Sequence, residues 1–218
     1  MFDETRLYSK LRDIRRVVSG RLQIWKWRRN GCPVPPPHIV KQKTVIQYAK
    51  LFCVSILVET GTFSGEMISS VKGVFKEIYS IELDPLLFEN ARRRFAGKPH
   101  IHLLNGDSAA VLSEVLDELK EPALFWLDGH YSGEGTAKGE IETPIKAELA
   151  QILEHAVPQH VILIDDARMF TGENDYPTLD ELKAQVHAFS EDLGFEVEAD
   201  IIRIHKMPRK AARRAIAF

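Results

Sequence analysis

The sequence predicts an α/β fold, a doubly wound sheet of seven strands, mostly parallel, with an antiparallel C-terminal hairpin and an N-terminal helical extension. Three observations predict it. From residue 38 onward, short apolar runs alternate with longer segments of helical periodicity. The apolar runs end in acidic residues or glycine, as strands do where a sheet meets a ligand crevice. The last two runs, FEVEA and DIIRIHK, adjoin with no helix between them, which reads as a hairpin.

Taken in order, Leu7, Leu11, Ile14, Val18, Leu22 and Trp25 recur at three- and four-residue steps beside a basic face, so residues 1–29 read as an amphipathic helix with its stripe buried against the body or a second subunit. NGCPVPPP breaks it, with prolines that favour an extended connector. HIVKQKTVIQYAKLF is helical, and CVSILVE (53–59) is the first buried strand, which makes Cys53 a small core residue. GEMISSVKGVF is a helix and KEIYSIEL a strand; DPLLFENARRRFAG is a helix opened by Asp84 with Pro85 in its first turn. HIHLLNGD is the third strand, followed by a helix with Ser108 as its N-cap. ALFWLDG, the helix ETPIKAELAQILEHA, HVILIDD and the helix TLDELKAQVHAFSEDLG, ended by Gly194, complete the alternation. Three units follow: 1–36 as basic helix and connector, 37–207 as the ligand-binding domain, and 208–218 as a basic tail.

Charge is unevenly spread. The whole chain carries −2, whereas residues 1–29 and 203–218 each carry +6, which leaves −14 for the middle. An acidic body with basic ends disfavours a general nucleic-acid binder and suits a cation or a neutral or positively charged ligand. No apolar run approaches the roughly 20 residues of a membrane span. The N-terminus lacks the apolar core of a secretory signal, and two cysteines form neither a disulfide framework nor a zinc spacing, so the expected location is the cytoplasm. The basic helix leaves open a peripheral membrane contact, packing on the domain, or pairing in a homo-oligomer.

The candidate site begins at VETGTFSGE. Gly61 and Gly65 allow a tight turn and close approach of backbone to a ligand, and the next helix presents free N–H groups. Glu82 ends the second strand 21 residues after Gly61, where a carboxylate can accept both hydroxyls of a ribose. Asp107 and Ser108 end the third strand, where a short polar group can read an adenine edge. Phe63 stands where a nicotinamide dinucleotide site has its middle glycine, and Glu59 and Glu66 oppose a pyrophosphate. A sulfonium ligand carrying an ammonium group tolerates them.

VETGTFSGE, IELDP and NGDSAAVL resemble the cofactor motifs of class I S-adenosylmethionine-dependent methyltransferases, over about two-thirds of the chain. The E-T-G-T-F-S-G form is similar to catechol O-methyltransferase-like enzymes. FWLDGHYSGEGTAKGE resembles uncharacterised bacterial methyltransferases and, more distantly, macrocin-type sugar O-methyltransferases. The resemblance implies a Rossmann-like domain that binds S-adenosylmethionine through Glu59, Gly61, Thr62, Phe63, Ser64, Gly65, Glu82, Asp107, Ser108 and Asp128. It implies O-methylation of a small hydroxyl metabolite such as a sugar. Asp128 follows the fourth strand and Asp165-Asp166 the fifth, as in metal-dependent relatives, so these three are the expected ligands of Mg²⁺ or Mn²⁺. The bland alternative for Asp165 or Asp166 is a turn cap or a pair with Arg168.

His130 and Asp128 are the catalytic candidates; for His130 a metal ligand, a loop hydrogen-bonder and a general base stand side by side, since macrocin-type enzymes place their histidine one residue farther on. The loop HYSGEGTAKGEIETP offers Tyr131, Glu134, Lys138 and Glu140 as substrate contacts. His102, His155 and His160 are expected to be core or surface residues. The competing classes are a nucleic-acid or protein methyltransferase and a non-catalytic binding protein of the same fold. Amino-methylating nucleic-acid enzymes carry an Asn/Asp-Pro-Pro-Tyr-type motif where this chain has Asp-Gly-His-Tyr.

Overall fold

The computed structural model describes residues 19–128 and 143–206. Seven strands form one sheet: β1 (Ile56–Thr60), β2 (Glu77–Glu82), β3 (Ile101–Asn105), β4 (Ala123–Leu127), β5 (Val161–Ile164), β6 (Leu193–Glu198) and β7 (Ile201–Lys206). Their spatial order is β3-β2-β1-β4-β5-β7-β6. The first five strands are parallel, and β7 runs antiparallel between β5 and β6. The hairpin turns on Ala199 and Asp200, both at positive φ, as a mirror-image two-residue turn requires.

Each central strand is buried on both faces, which is why it reads as a continuous apolar run. Ile56, Val58, Phe125, Leu127, Ile162 and Ile164 pack on one side against α5 (Ser108–Glu118), α6 (Ile145–Glu154) and α7 (Leu179–Phe189). Leu57, Leu124, Trp126, Val161 and Leu163 pack on the other against α2 (His38–Phe52), α3 (Glu66–Val71) and α4 (Pro85–Arg94). The order of the strands reverses between β1 and β4, so the crevice of this fold opens at the carboxyl ends of those two neighbours.

Several expectations are corrected. Residues 53–55 are not strand: Cys53 is the exposed left-handed cap of α2, its N–H returned to helix carbonyls, and β1 starts at Ile56. The helical cap outcompetes the apolar pattern there. Asp107, not Ser108, caps α5, because its carboxylate reaches the Ala109 N–H at 2.9 Å. Gly194 does not end a helix: α7 stops at Phe189, and Gly194 pairs with His205 inside β6. The described part of the first helix, α1 (19–29), leaves Leu22 49% and Trp25 53% exposed, so this end of the stripe is not buried on its own chain. Leu7, Leu11, Ile14 and Val18 lie outside the described residues, as do the tail 207–218, His130, Tyr131, Glu134, Lys138 and Glu140.

Candidate active site

The turn between β1 and α3 is held by its own backbone and by two neighbouring elements. Gly61 donates to the Ile81 carbonyl at 2.9 Å, and Gly65 donates to the Thr62 carbonyl at 2.8 Å. Gly61, Phe63 and Gly65 all have positive φ. At Gly65 a second constraint applies: an added Cβ would lie 2.7 Å from the Phe95 ring, so this glycine lets α4 pack against the turn. Arg94, at the end of α4, donates to the Ser64 carbonyl and pairs with Glu66 at 2.8 Å. Neither Arg94 nor Phe95 was singled out from the sequence. The Phe63 side chain is 57% exposed beside the crevice.

Glu82 closes the far side of the turn. Its two carboxylate oxygens accept the Phe63 N–H at 2.7 Å and the Asp84 N–H at 2.9 Å. These charge-assisted bonds fix the orientation of a carboxylate that is nearly buried, and each oxygen retains a lone pair. Asp84 in turn caps α4 by accepting from Leu86 and Leu87, with Pro85 in the first turn as expected. The sequence therefore builds Glu82 from both ends: a β-strand delivers it, and two loop N–H groups aim it.

Glu59 is buried one strand away. It accepts the Ser80 hydroxyl at 2.6 Å, and Thr62 Oγ1 lies 2.6 Å from Ser80 Oγ. Burial pushes the Glu59 carboxyl up to about 8, the Ser80 bond opposes this, and Asp128 and Glu82 push the same way. Glu148, on the buried stripe of α6, is a comparable group beside the hydroxyls of Ser108 and Thr60; burial pushes it up to about 7. Its Oε1 and Thr60 Oγ1 have no hydrogen-bond partner among the described residues. Its signal in the sequence is an acid in line with Ile145, Leu149 and Ile152.

The acceptor side is different. The Asp128 N–H bonds to the Thr60 carbonyl, and the Asp165 N–H to the Leu127 carbonyl, both at 3.0 Å, so both aspartates continue the parallel ladder just past the strand ends. Oxygens of Asp128, Asp165 and Asp166 all lie within 4.8 Å of one another. Asp166 has left-handed backbone, which an aspartate tolerates better than most residues, and this turns its carboxylate back toward Asp165. Asp165 Oδ1 accepts the Asp166 N–H at 2.9 Å.

Two cations serve this cluster. Lys41, from the first turn of α2, places Nζ 2.5 Å from Asp165 Oδ2 and 3.2 Å from Asp166 Oδ1. Arg168 pairs with Asp166 at 2.7 Å and also with Asp200. The Arg168 pair is the alternative anticipated for Asp166; Lys41 was missed, although it stands at helical spacing from the buried Val45 and Tyr48 of α2. A cation on a buried stripe was the available signal. Burial and then Asp128 push the Asp165 carboxyl up to about 7, against the pull of Lys41. For Lys41 itself burial pulls the ammonium down, but Asp165, Asp166 and Asp128 together hold it above its ordinary value. The donor set is entirely oxygen, converges from two neighbouring strand ends and carries excess negative charge, so it fits a hard divalent cation.

His160 lies at the opposite end of the sheet. It accepts the Ala123 N–H at 3.1 Å, stacks on His155, and is pulled down to about 4 by burial, with His155 adding to the effect. His102 is partly exposed, 2.7 Å from Glu77 and stacked on Tyr79. His160 is buried and His102 and His155 are half-buried, as expected of core or surface residues.

Strand order, terminal hairpin and an acidic crevice at the β1/β4 switch point together define the class I methyltransferase fold. Solved structures agree. An O-methyltransferase from Bacillus cereus in complex with SAH superposes with a TM-score of 0.57 at 13% identity, covering 87% of this chain and 91% of that one. The O-methyltransferase TomG from Streptomyces achromogenes, in complex with SAM, gives 0.57 at 16% identity over 82% and 84%. The methyltransferase PaMTH1 from Podospora anserina, bound to SAH, gives 0.56 at 17% identity over 87% and 88%. No family model matches the sequence. No curated protein matches it either. Among the described residues no helix is long and apolar enough to cross a membrane.

Proposed function

We propose that this chain is an S-adenosylmethionine-dependent methyltransferase acting on the hydroxyl oxygen of a small metabolite such as a sugar. The observation that carries the reading is the convergence of two groups at one crevice: the Gly61–Gly65 turn with Glu82 on one side, and Asp128 with Asp165 on the other. Three structural neighbours are methyltransferases solved with SAM or SAH bound. In this reading Glu82 accepts the ribose hydroxyls with its remaining lone pairs. Gly61, Thr62, Phe63, Ser64 and Gly65 form the wall of the cofactor pocket, with Glu59 beneath it. Asp107 and Ser108 border the adenine; Asp107 Oδ1 is already engaged with Ala109, which leaves its other oxygen for the base.

S-adenosylmethionine, when bound, would supply an electrophilic sulfonium methyl group, with the S–CH₃ bonding pair left on sulfur as the acceptor oxygen takes the methyl. The chain's task is to align the acceptor oxygen with that bond and remove its proton. Asp128, Asp165 and Asp166 border the acceptor side of this assignment, and His130 is assigned from the sequence as the proton acceptor. Mg²⁺ or Mn²⁺ on Asp128, Asp165 and Asp166 would supply a Lewis acid for that oxygen. The domain assignment follows: 37–207 as the cofactor-binding unit, with basic extensions at 1–36 and 208–218. The free Cys32 and Cys53 support placement in the cytoplasm, and exposed Leu22 and Trp25 support a contact of α1 with a second copy or a membrane surface.

Titration calorimetry tests the central assignment. S-adenosylhomocysteine should bind the purified chain and NAD should not. Binding of NAD alone would overturn the proposal.

A further inference from the structure

We infer that Lys41 is an exchangeable cation of the acceptor-side carboxylates: it occupies Asp165 and Asp166 in the metal-free protein, and a divalent ion enters by displacing its ammonium. This rests on the reading of Asp128, Asp165 and Asp166 as oxygen ligands.

The geometry argues for exchange rather than coexistence. Nζ lies 2.5 Å from Asp165 Oδ2 and 3.2 Å from Asp166 Oδ1, in the same cluster of oxygens that would hold an ion. Mg²⁺ requires about 2.0–2.1 Å to each ligand oxygen, so an ion on Asp165 Oδ2 would stand within roughly 5 Å of an unmoved ammonium. Two cations at that separation repel while competing for the same lone pairs.

The two resident cations differ in their freedom to leave. Arg168 is anchored twice, on Asp166 and on the buried Asp200 of the hairpin turn, and Asp200 also accepts the Arg168 backbone N–H. Among the described residues Lys41 forms its ion pairs with the two cluster aspartates, and its side chain is 14% exposed. Its flexible four-carbon stem can carry a strongly hydrated ammonium out to water without moving α2. Charge also favours the exchange. Asp128, Asp165 and Asp166 converge there, and a divalent ion offsets more of their charge than the single ammonium it replaces. Lys41 thus keeps the acidic cluster assembled when no ion is present and links α2 to its occupancy.

The test uses the full chain and Mn²⁺ alone. Calorimetry and the Mn²⁺ paramagnetic resonance signal give the affinity of the unmodified protein, Lys41→Met and Lys41→Gln. Both variants should bind Mn²⁺ roughly tenfold more tightly or better, the factor for removing one modest competitor. In the unmodified protein, mass-spectrometric footprinting with an amine-reactive reagent should show faster labelling of Lys41 when Mn²⁺ is added. Labelling that Mn²⁺ leaves unchanged, or equal Mn²⁺ affinity in folded variants, overturns the exchange and leaves the ligand assignment standing. No Mn²⁺ uptake by any form overturns both. If neither variant folds, the labelling of the unmodified chain decides.

Discussion

The two halves of the crevice satisfy their carboxylates in opposite ways. On the β1/β2 side, Glu59 and Glu82 receive hydrogen bonds from neutral donors, a serine hydroxyl and two backbone N–H groups. On the β4/β5 side, Asp165 and Asp166 are held by Lys41 and Arg168. Neutral donors orient a carboxylate without cancelling its charge, so the first half retains negative potential for a cationic ligand or, as at Glu59, stays protonated. Ion pairs cancel charge but can be exchanged for another cation. The difference separates a half built to hold one ligand geometry from a half built to change its counter-ion.

The largest expected effect tests the neutral half. Glu59 is raised from 4.5 to about 8, so the folded state holds a proton that the unfolded state has lost. Stability from this group is fully present below about pH 4.5 and is lost as pH rises toward 8. Glu59→Gln cannot ionise, so its stability relative to the parent should rise by on the order of 4 kcal/mol between pH 5 and pH 8. Urea melts at both pH values measure this, and parallel pH curves would mean that Glu59 is ionised in the folded protein.

Next comes the ionic half. Lys41→Met removes the ammonium from Asp165 and Asp166 and should cost about 3 kcal/mol in the metal-free protein. Thermal melts with and without Mn²⁺ check it: the loss should shrink with the ion present if a cation is what the cluster lacks. A loss of the same size with saturating Mn²⁺ would assign it to packing of the lysine stem instead.

Glu82→Ala probes orientation by neutral donors. It should weaken S-adenosylhomocysteine binding by about 1–3 kcal/mol, the cost of a charge-assisted pair of hydrogen bonds, with calorimetry as the readout. Unchanged affinity would remove Glu82 from the cofactor site. The smallest effect is expected from Arg94→Ala. Its pair with Glu66 is exposed, so folding stability should fall by less than about 1 kcal/mol. A much larger loss would show that the turn depends on this clamp rather than on its own hydrogen bonds.

Much of the fold was legible because strand and helix periods leave different apolar spacings, and the chain alternates between them from residue 38 to residue 206. Glu82 and the three aspartates were legible as acids at strand ends, where a parallel sheet leaves its crevice. Lys41, Glu148 and Arg94 were harder to see. Each acts on an element distant in sequence, and a single charge on a helical stripe looks like a boundary between faces. Local competition accounts for other misses: an aspartate can outreach the serine after it as a cap, and Cys53 can close a helix in left-handed backbone despite its apolar neighbours.

The sequence alone determined the alternation of elements, the acids at the strand ends and the glycines of the first turn, because these depend on local spacing and backbone freedom. Tertiary structure decided which charges meet. Lys41 is 124 residues from Asp165, and Arg168 is 32 residues from Asp200. Those encounters depend on strand order and helix placement, and burial then sets the protonation of Glu59 and Asp165 through the loss of water around them.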